Sequence, residues 1–551
     1  MTATIGFVPL EACVVVPARD EEATIAACLA ALGAQTGIDP AAYEVLLVLD
    51  ACTDATEEMA AEAAAAHPWL RLRPLHGRGE GVGVARKLGM DLAARTLLAT
   101  GRTRGLIAST DADTVVAPDW LRTQLDLVAA GVDAIGGAID LAEDLDAGVL
   151  RRRLERADGR MAAVRAVDPD AEHHHFSGAS MALTAEAYMA VGGIEPLAAL
   201  EDEALERRLR AAGIGVQRPA AVRVRTEPRM RGRAPRGLAA DLALDRWLHR
   251  RSYRADEFPL ERLLACKRDT VSVILPAKEC ARTIGPILEH VLELQAAGAV
   301  DEVLVVDAAS RDGTAELARA LGADVAQEDE LLPEHGPARG KGDAMWRGLS
   351  ATSGEIVVYI DADSSDVDAS FALGAVGPLV CHPELALVKG AYHRPFRPDE
   401  GAPIPHGGGR VTELMARPLL NLRVPELAGF VQPLAGEIAA RRWLLERLSF
   451  PVGYGVEIAM LIDALREVGL DAMGQVDLGE RRNRHQSLRD LGLMAYAVLV
   501  AASRRLGDDV VPGPYALPSG PEIDVRPVAV EERPPLGARS ASSRTAYEPR
   551  G

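Results

Sequence analysis

Residues 13–32 read CVVVPARDEEATIAACLAAL, and residues 271–294 read VSVILPAKECARTIGPILEHVLEL. Each is an apolar, β-branched run, then a proline, a charged turn and a helical pattern. Pro17 answers to Pro276, and Thr24-Ile25 to Thr283-Ile284 at the same offset. Further on, EVLLVLDACTDAT (44–56) and DEVLVVDAASRDGT (301–314) close second apolar runs on Asp50 and Asp307. GLIASTDADT (105–114) and EIVVYIDADSS (355–365) close later runs on D-x-D, as Asp111/Asp113 and Asp361/Asp363. Buried strands alternating with helices imply an α/β fold with a parallel sheet covered on both faces. Ligands of such sheets bind beyond the carboxyl ends of the strands, where all six aspartates fall. One aspartate after a strand often only turns the chain or caps a helix. The weight therefore rests on the ordered set, which occurs twice.

A chain of 551 residues suggests two or three domains. The repeat divides it into 1–250 and 271–505, with a polar linker over 251–270 and a Pro/Gly/Ser/Arg-rich tail, 506–551, expected to be disordered. A net charge of −19 excludes a general nucleic-acid binder, whose phosphate-tracking surface would be basic. The six cysteines (Cys13, Cys28, Cys52, Cys266, Cys280, Cys381) form no C-x-x-C pair and read as small buried hydrophobes in a reducing compartment. MTATIGFVPLEACVVVPARDEE lacks a basic n-region ahead of an apolar stretch, so no signal peptide is expected. LGLMAYAVLVAAS (491–503) is too short to span a bilayer and reads as a buried or interfacial helix. These features predict a cytoplasmic protein without a transmembrane segment.

Two carboxylates one residue apart at a strand end suit a hard divalent cation, Mg2+ or Mn2+, whose other ligands come from a diphosphate and water. Such a cation neutralises charge on a leaving diphosphate. The strand–proline–acidic loop, the second aspartate and the D-x-D together resemble the family 2-like glycosyltransferases. That resemblance implies two tandem nucleotide-diphospho-sugar transferase (GT-A, Rossmann-like) domains with mostly parallel central sheets. In the first half it places Pro17, Glu21 and Asp50 at the nucleoside, and Arg86 of RGEGVGVARKLGMDLA (78–93) and Asp111 at the donor diphosphate. Asp113 would hold the metal. SGAS (177–180) is similar to the acceptor-side turn, and Glu201-Asp202 to the E-D pair of inverting members, in which Asp202 is the base for the acceptor hydroxyl. The bland alternative is an acidic first turn of a helix. His173-His174-His175 reads as a surface loop or a source of a metal ligand. The basic stretch 223–242 reads as a solvated arm or a cover for an anionic ligand.

The second half carries more. GKG (340–342), the D-x-D, GGGRVTEL (407–414), QPLAGE (432–437) and GYGVE (453–457) follow in order. This series, between 271 and 503, closely resembles the glucosyl-3-phosphoglycerate synthase family. The resemblance implies glucose transfer from a nucleotide-sugar donor, UDP-glucose, to the 2-hydroxyl of 3-phosphoglycerate with retention. It puts Pro276, Glu279, Asp307 and Ser310 at the nucleoside, Lys341 and Asp361 at the donor, and Asp363 on the metal. By the same resemblance Tyr454 would lie beside the donor sugar, and Glu457 and Lys341 would be catalytic. Gly409, Arg410 and Thr412 would grip the acceptor's phosphate, which suits a helix N-terminus with an arginine. Arg481 and His485 would complete the acceptor pocket. There are departures. Lys278-Glu279-Cys280 stands where members usually read N-E-E. Arg481-Arg482-Asn483-Arg484-His485 stands where they read R-E-H-R-N, so Asn483 takes the place of the metal-binding His and His485 that of the acceptor-binding Asn. A two-residue shift would return His485 to the metal. Another sugar or acceptor, or one non-catalytic nucleotide-sugar-binding domain, stays open, as does a homodimer.

Overall fold

The first quoted run forms β1 (Ala12–Ala18), buried on both faces: Ala12, Val14 and Val16 enter one core, Cys13 and Val15 another. The computed structural model describes residues 8–141, 146–227, 238–364, 368–394, 409–481 and 487–538. They form two compact units that divide between Arg246 and Trp247.

After β1, the first unit contains β2 (Tyr43–Asp50), β3 (Leu72–Gly77), β4 (Leu106–Ser109), β5 (Thr114–Val116), β6 (Ala134–Gly136), β7 (Ala138–Leu141), β8 (Met181–Thr184), β9 (Val216–Gln217) and β10 (Arg223–Thr226). Seven make one sheet in the order β3-β2-β1-β4-β8-β6-β9, in which β8 runs antiparallel to its neighbours. A smaller sheet, β5-β10-β7, lies beside the D-x-D. It takes up residues 223–226 of the stretch read as a basic arm; 228–237 lie outside the described residues.

The second unit contains β11 (Ser252–Arg254), β12 (Val271–Ala277), β13 (Glu302–Asp307), β14 (Asp324–Gln327), β15 (Ile356–Tyr359), β16 (Leu387–His393), β17 (Ile438–Arg441), β18 (Phe450–Pro451), β19 (Met473–Glu480), β20 (Tyr515–Ser519), β21 (Glu522–Arg526) and β22 (Glu532–Arg533). Its main sheet, β14-β13-β12-β15-β17-β16-β19-β11, repeats the first unit's order and its single reversed strand, here β17. The repeat in the sequence is thus a repeat of topology.

Two expected boundaries are corrected. Residues 251–270 are not a linker: β11 pairs with β19, and Phe258 and Leu263 are wholly buried. Their charged neighbours hid these anchors, each of which contributes ~1.5–3 kcal/mol on burial. Nor is 506–538 a disordered tail. β20 and β21 form a hairpin, and β22 pairs with β18. Residues 539–551 lie outside the described part. The segment 491–503 forms most of the helix Leu488–Arg505, capped by Ser487, with Ala497, Val498 and Val500–Ala502 buried. Among the described residues, no helix is long and apolar enough to cross a membrane.

Candidate active sites

Two residues beyond β4 stands Asp111, and two beyond β15 stands Asp361; each carboxylate meets a cation, buried in the first unit and half-buried in the second. In the first unit the cation is Arg86, on the second turn of the helix Val82–Ala99, with its side chain 2% exposed. It donates to Asp111 Oδ1 at 2.8 Å, Glu201 Oε1 at 3.1 Å, Ser109 Oγ at 2.5 Å and the Gly178 carbonyl at 3.1 Å. Burial alone would depress its pKa, but Asp111 and Glu201 reverse that and hold it charged. In the second unit the cation is Lys341, the first residue of the helix Lys341–Ala351. Its Nζ lies 2.5 Å from Asp361 Oδ1 and 2.9 Å from Glu457 Oε1. The same contest, burial against two carboxylates, leaves its pKa well above the ordinary lysine value. Burial would raise Asp361, but Lys341 and then Arg481 bring it below the usual carboxylate range.

The two clamps match part for part: the first aspartate of D-x-D, a helix cation, and a glutamate in the first turn of a later helix, Glu201–Ala211 or Val456–Val468. Glu201, not only its neighbour Asp202, is therefore part of the candidate site, through its bond to Arg86. The next residue differs. Asp202 accepts from the Gly178 N–H of SGAS at 3.1 Å and from the Glu203 N–H at 2.8 Å, and burial pushes its pKa up. The corresponding residue of the second unit is Ile458, wholly buried.

Asp363 is two-thirds exposed, at 68% of its side chain. Arg481 crosses beneath the pair, 3.9 Å from Asp361 Oδ2 and 3.8 Å from Asp363 Oδ1, and its other amino group bonds Glu437. Arg481 lies over the Tyr392 ring, 5.0 Å from the centroid. The expected acceptor-side Arg481 is thus a buried brace of the D-x-D, 3% exposed. Gly436 lets Asp361 in: a Cβ there would come within 2.1 Å of Asp361 Oδ1. Asp113 accepts from Thr114 Oγ1 at 3.3 Å and Thr226 Oγ1 at 3.4 Å.

The loops after Pro17 and Pro276 also match, and they correct one assignment. Asp20 and Glu279, three residues after the prolines, both have positive φ, 49° and 54°. Asp20 Oδ1 accepts from the Thr53 N–H at 2.6 Å, and Glu279 Oε1 from the Arg311 N–H at 3.1 Å. The counterpart of Glu279 is therefore Asp20, not Glu21, which is buried and accepts from Thr24 Oγ1 at 2.8 Å. Ser310 links the loop ends: its Oγ accepts from the Glu279 N–H at 2.9 Å, and its N–H donates to Asp307 Oδ2 at 3.1 Å. Asp307 Oδ1 is buried without a hydrogen-bond partner among the described residues. Asp50 differs, since both its oxygens accept from backbone, Gly79 N–H at 2.7 Å and Gly81 N–H at 3.1 Å.

Tyr454 is 47% exposed, on the turn before the Val456–Val468 helix. Gly409 has φ +68°, and its open side faces Thr412 and Arg394 Cδ, 3.7–3.8 Å from where a Cβ would stand. Arg410 opens the helix that follows, and Thr412 is buried in it, 2% exposed. The expected Asn483 and His485 lie outside the described residues, as do Gly407 and Gly408. The triple histidine of the first unit is tied to backbone: His173 Nδ1 accepts from the His175 N–H, and His175 Nδ1 from the Ile139 N–H. Burial pushes His174 and His175 down to about 4 and about 3, so both are neutral at neutral pH. Among the described residues no three His, Cys, Asp or Glu side chains converge on a metal position.

Residues 9–247 match the family model described as glycosyltransferase like family 2, and residues 272–371 that described as glycosyl transferase family 2. The protein is a glycosyltransferase with two family 2 domains. A glucosyl-3-phosphoglycerate synthase of Mycobacterium tuberculosis is 42% identical over 314 residues, which cover 55% of this chain and 94% of that one. The chain belongs to the glucosyl-3-phosphoglycerate synthase family. Among solved structures, the mannosyl-3-phosphoglycerate synthase of Rubrobacter xylanophilus is 46% identical, over 53% of this chain and 98% of that one, with a TM-score of 0.48. The glucosyl-3-phosphoglycerate synthase of Mycobacterium tuberculosis in complex with Mn2+, UDP-glucose and phosphoglyceric acid is 41% identical, over 51% and 94%, with a TM-score of 0.46.

Proposed function

We propose that the second unit transfers glucose from UDP-glucose to the 2-hydroxyl of 3-phosphoglycerate with retention, and that the first transfers a sugar to a separate acceptor with inversion. The observation that carries the reading is the pair of matching clamps, Asp111–Arg86–Glu201 and Asp361–Lys341–Glu457, differing in the residue that follows the glutamate. Inversion needs a base on the acceptor side. Asp202, held by the SGAS amide and pushed toward a higher pKa, is suited to it. Retention on one face needs none, because the leaving diphosphate can take the acceptor's proton. Ile458 in that position fits.

The second site's residues fit Mg2+ or Mn2+ together with a nucleoside diphosphate. Asp363 is exposed beside Asp361, and a hard cation held by one or two carboxylates completes its shell from phosphate and water. A buried amino group of Arg481 without a hydrogen-bond partner faces the same aspartates. When bound, the cation offsets charge on the leaving diphosphate. Lys341 adds a second, fixed positive charge on that group, oriented by Glu457. Asp307 Oδ1 offers a buried acceptor to an N–H of the donor base, which uracil has. Arg410, at a helix start beside Gly409, takes the phosphate of the acceptor.

The deciding assay incubates the purified chain with UDP-glucose, Mn2+ and 3-phosphoglycerate and reads products by mass spectrometry. Formation of a phosphoglycerate glucoside is expected. No phosphoglycerate glycoside with any of UDP-glucose, GDP-glucose or GDP-mannose would sink the reading. Asp111→Ala and Asp363→Ala should each remove part of the metal-dependent protection by UDP if both sites work.

A further inference from the structure

Residues 529–538, expected to lie in a disordered tail, run against both loops that carry the Lys341–Glu457 pair. β22 pairs with β18, the short strand leading into GYGVE, and the Val452 N–H donates to the Glu531 carbonyl at 3.0 Å. Arg533 reaches the other loop. It donates to both oxygens of Asp343, at 2.9 and 2.6 Å, and to the His335 carbonyl at 2.6 Å. Asp343 is wholly buried, two residues after Lys341, and is also bonded by Arg347 Nε at 3.1 Å and the Arg339 N–H at 3.0 Å. The neighbouring turn is fixed as well, since Trp346 Nε1 donates to the Pro534 carbonyl at 2.9 Å.

The two loops also touch directly. The Asp343 N–H donates to the Val452 carbonyl at 3.1 Å, and a Cβ on Gly342 would stand 1.9 Å from the Pro451 carbonyl oxygen. Glycine is required there because two backbones meet. Lys341 and Glu457 thus project from two segments sewn to each other and both sewn to 529–538. Bidentate guanidinium–carboxylate contacts fix direction as well as distance.

We propose that residues 529–538 form a clasp that sets the spacing of Lys341 and Glu457, and that Arg533 is a positioning residue for glycosyl transfer at the second site. This rests on the transferase reading of that site. Loss of Arg533 leaves Asp343 paired with Arg347, so the helix keeps its own ion pair. What is lost is the tie between that pair, the 335–343 loop and the C-terminal segment.

The test compares the full chain with Arg533→Met and Arg533→Lys by hydrogen exchange and steady-state kinetics. In Arg533→Met, amides of 339–344 and 453–457 should lose protection while those of β12, β13 and β15 keep theirs. kcat/KM for the donor should fall about tenfold or more, since ~1 Å of misplacement costs a positioned site up to ~100-fold. The acceptor KM should stay put, and Arg533→Lys, a point charge without the fork, should restore part of the rate. Unchanged exchange in the two loops would overturn the clasp, as would an even loss of protection across the whole unit. Exchange is read without substrate, so a parent chain inactive on phosphoglycerate would refute the functional reading and still leave the clasp decided.

Discussion

Arg481→Met separates what holds the second site together from what makes it work. The Arg481 and Glu437 side chains are 3% and 1% exposed and bonded to each other. Removing one member of a buried pair costs ~3–5 kcal/mol, because the survivor is stranded in a medium that cannot solvate it. Glu437 Oε2 already lacks a hydrogen-bond partner among the described residues, which argues for the upper half of that range. At ~2–4 °C per kcal/mol for a unit of this size, the melting temperature should drop on the order of 10 °C. Replacing both partners, Arg481→Met with Glu437→Leu, removes the stranded charge and should recover most or all of the ~3–5 kcal/mol, since an apolar replacement of a buried pair is often neutral or stabilising. Activity should not follow. Arg481 lies 3.9 Å from Asp361 and 3.8 Å from Asp363, and without it the two carboxylates lose the cation that offsets their mutual repulsion. The assay pairs calorimetric melts with turnover measured well below the lower transition. A double variant no more stable than the single one, or one whose transfer returns with its stability, would refute this division of roles.

Asp202→Asn should slow the first unit's transfer by ~10²–10⁴ without weakening its UDP binding. The acid limb of the parent's pH–rate profile should lie above the ordinary aspartate value of ~3.9, since burial raises Asp202; a limb at or below it would remove Asp202 as the base. Lys389, buried with its Nζ on the Ala435 carbonyl, is pushed by burial down to about 8. Between about 8 and the ordinary ~10.4 the folded unit binds fewer protons than the unfolded chain. Stability should therefore rise with pH in that window and be lost as pH falls through about 8; in denaturant melts Lys389→Met should flatten the slope, and an unchanged slope would acquit Lys389. Arg410→Ala should raise the acceptor's KM far more than the donor's, and an equal rise in both would place the acceptor phosphate elsewhere.

Much of this was legible because strand-end chemistry repeats in register. The prolines, the second aspartates and the D-x-D pairs recur in the same order in both halves, and the two sheets share their strand order and reversed strand. Where the reading slipped, geometry had overridden sequence position. The resemblance places Glu21 at the nucleoside, whereas positive φ at Asp20 sets that residue toward Thr53 and Glu21 is buried beside it. In the E-D pair the resemblance points to the aspartate, while the partner of Glu201, Arg86, lies 115 residues away. The resemblance of its segment places Arg481 at the acceptor, and only the fold brings Glu437 under it. Polar composition also concealed β11 and β22, strands of two or three residues whose pairing partners are far along the chain.

The clamps have a consequence for the order in which ligands arrive. Each sets one positive side chain against two negative ones before any substrate is present. Their sum is negative, so a bare diphosphate approaches a site that repels it, whereas a divalent ion is drawn in or travels with the phosphates. Saturation by UDP should then be gated by the free concentration of the ion. On the proposed reading, both halves of the chain would answer together to the supply of divalent metal.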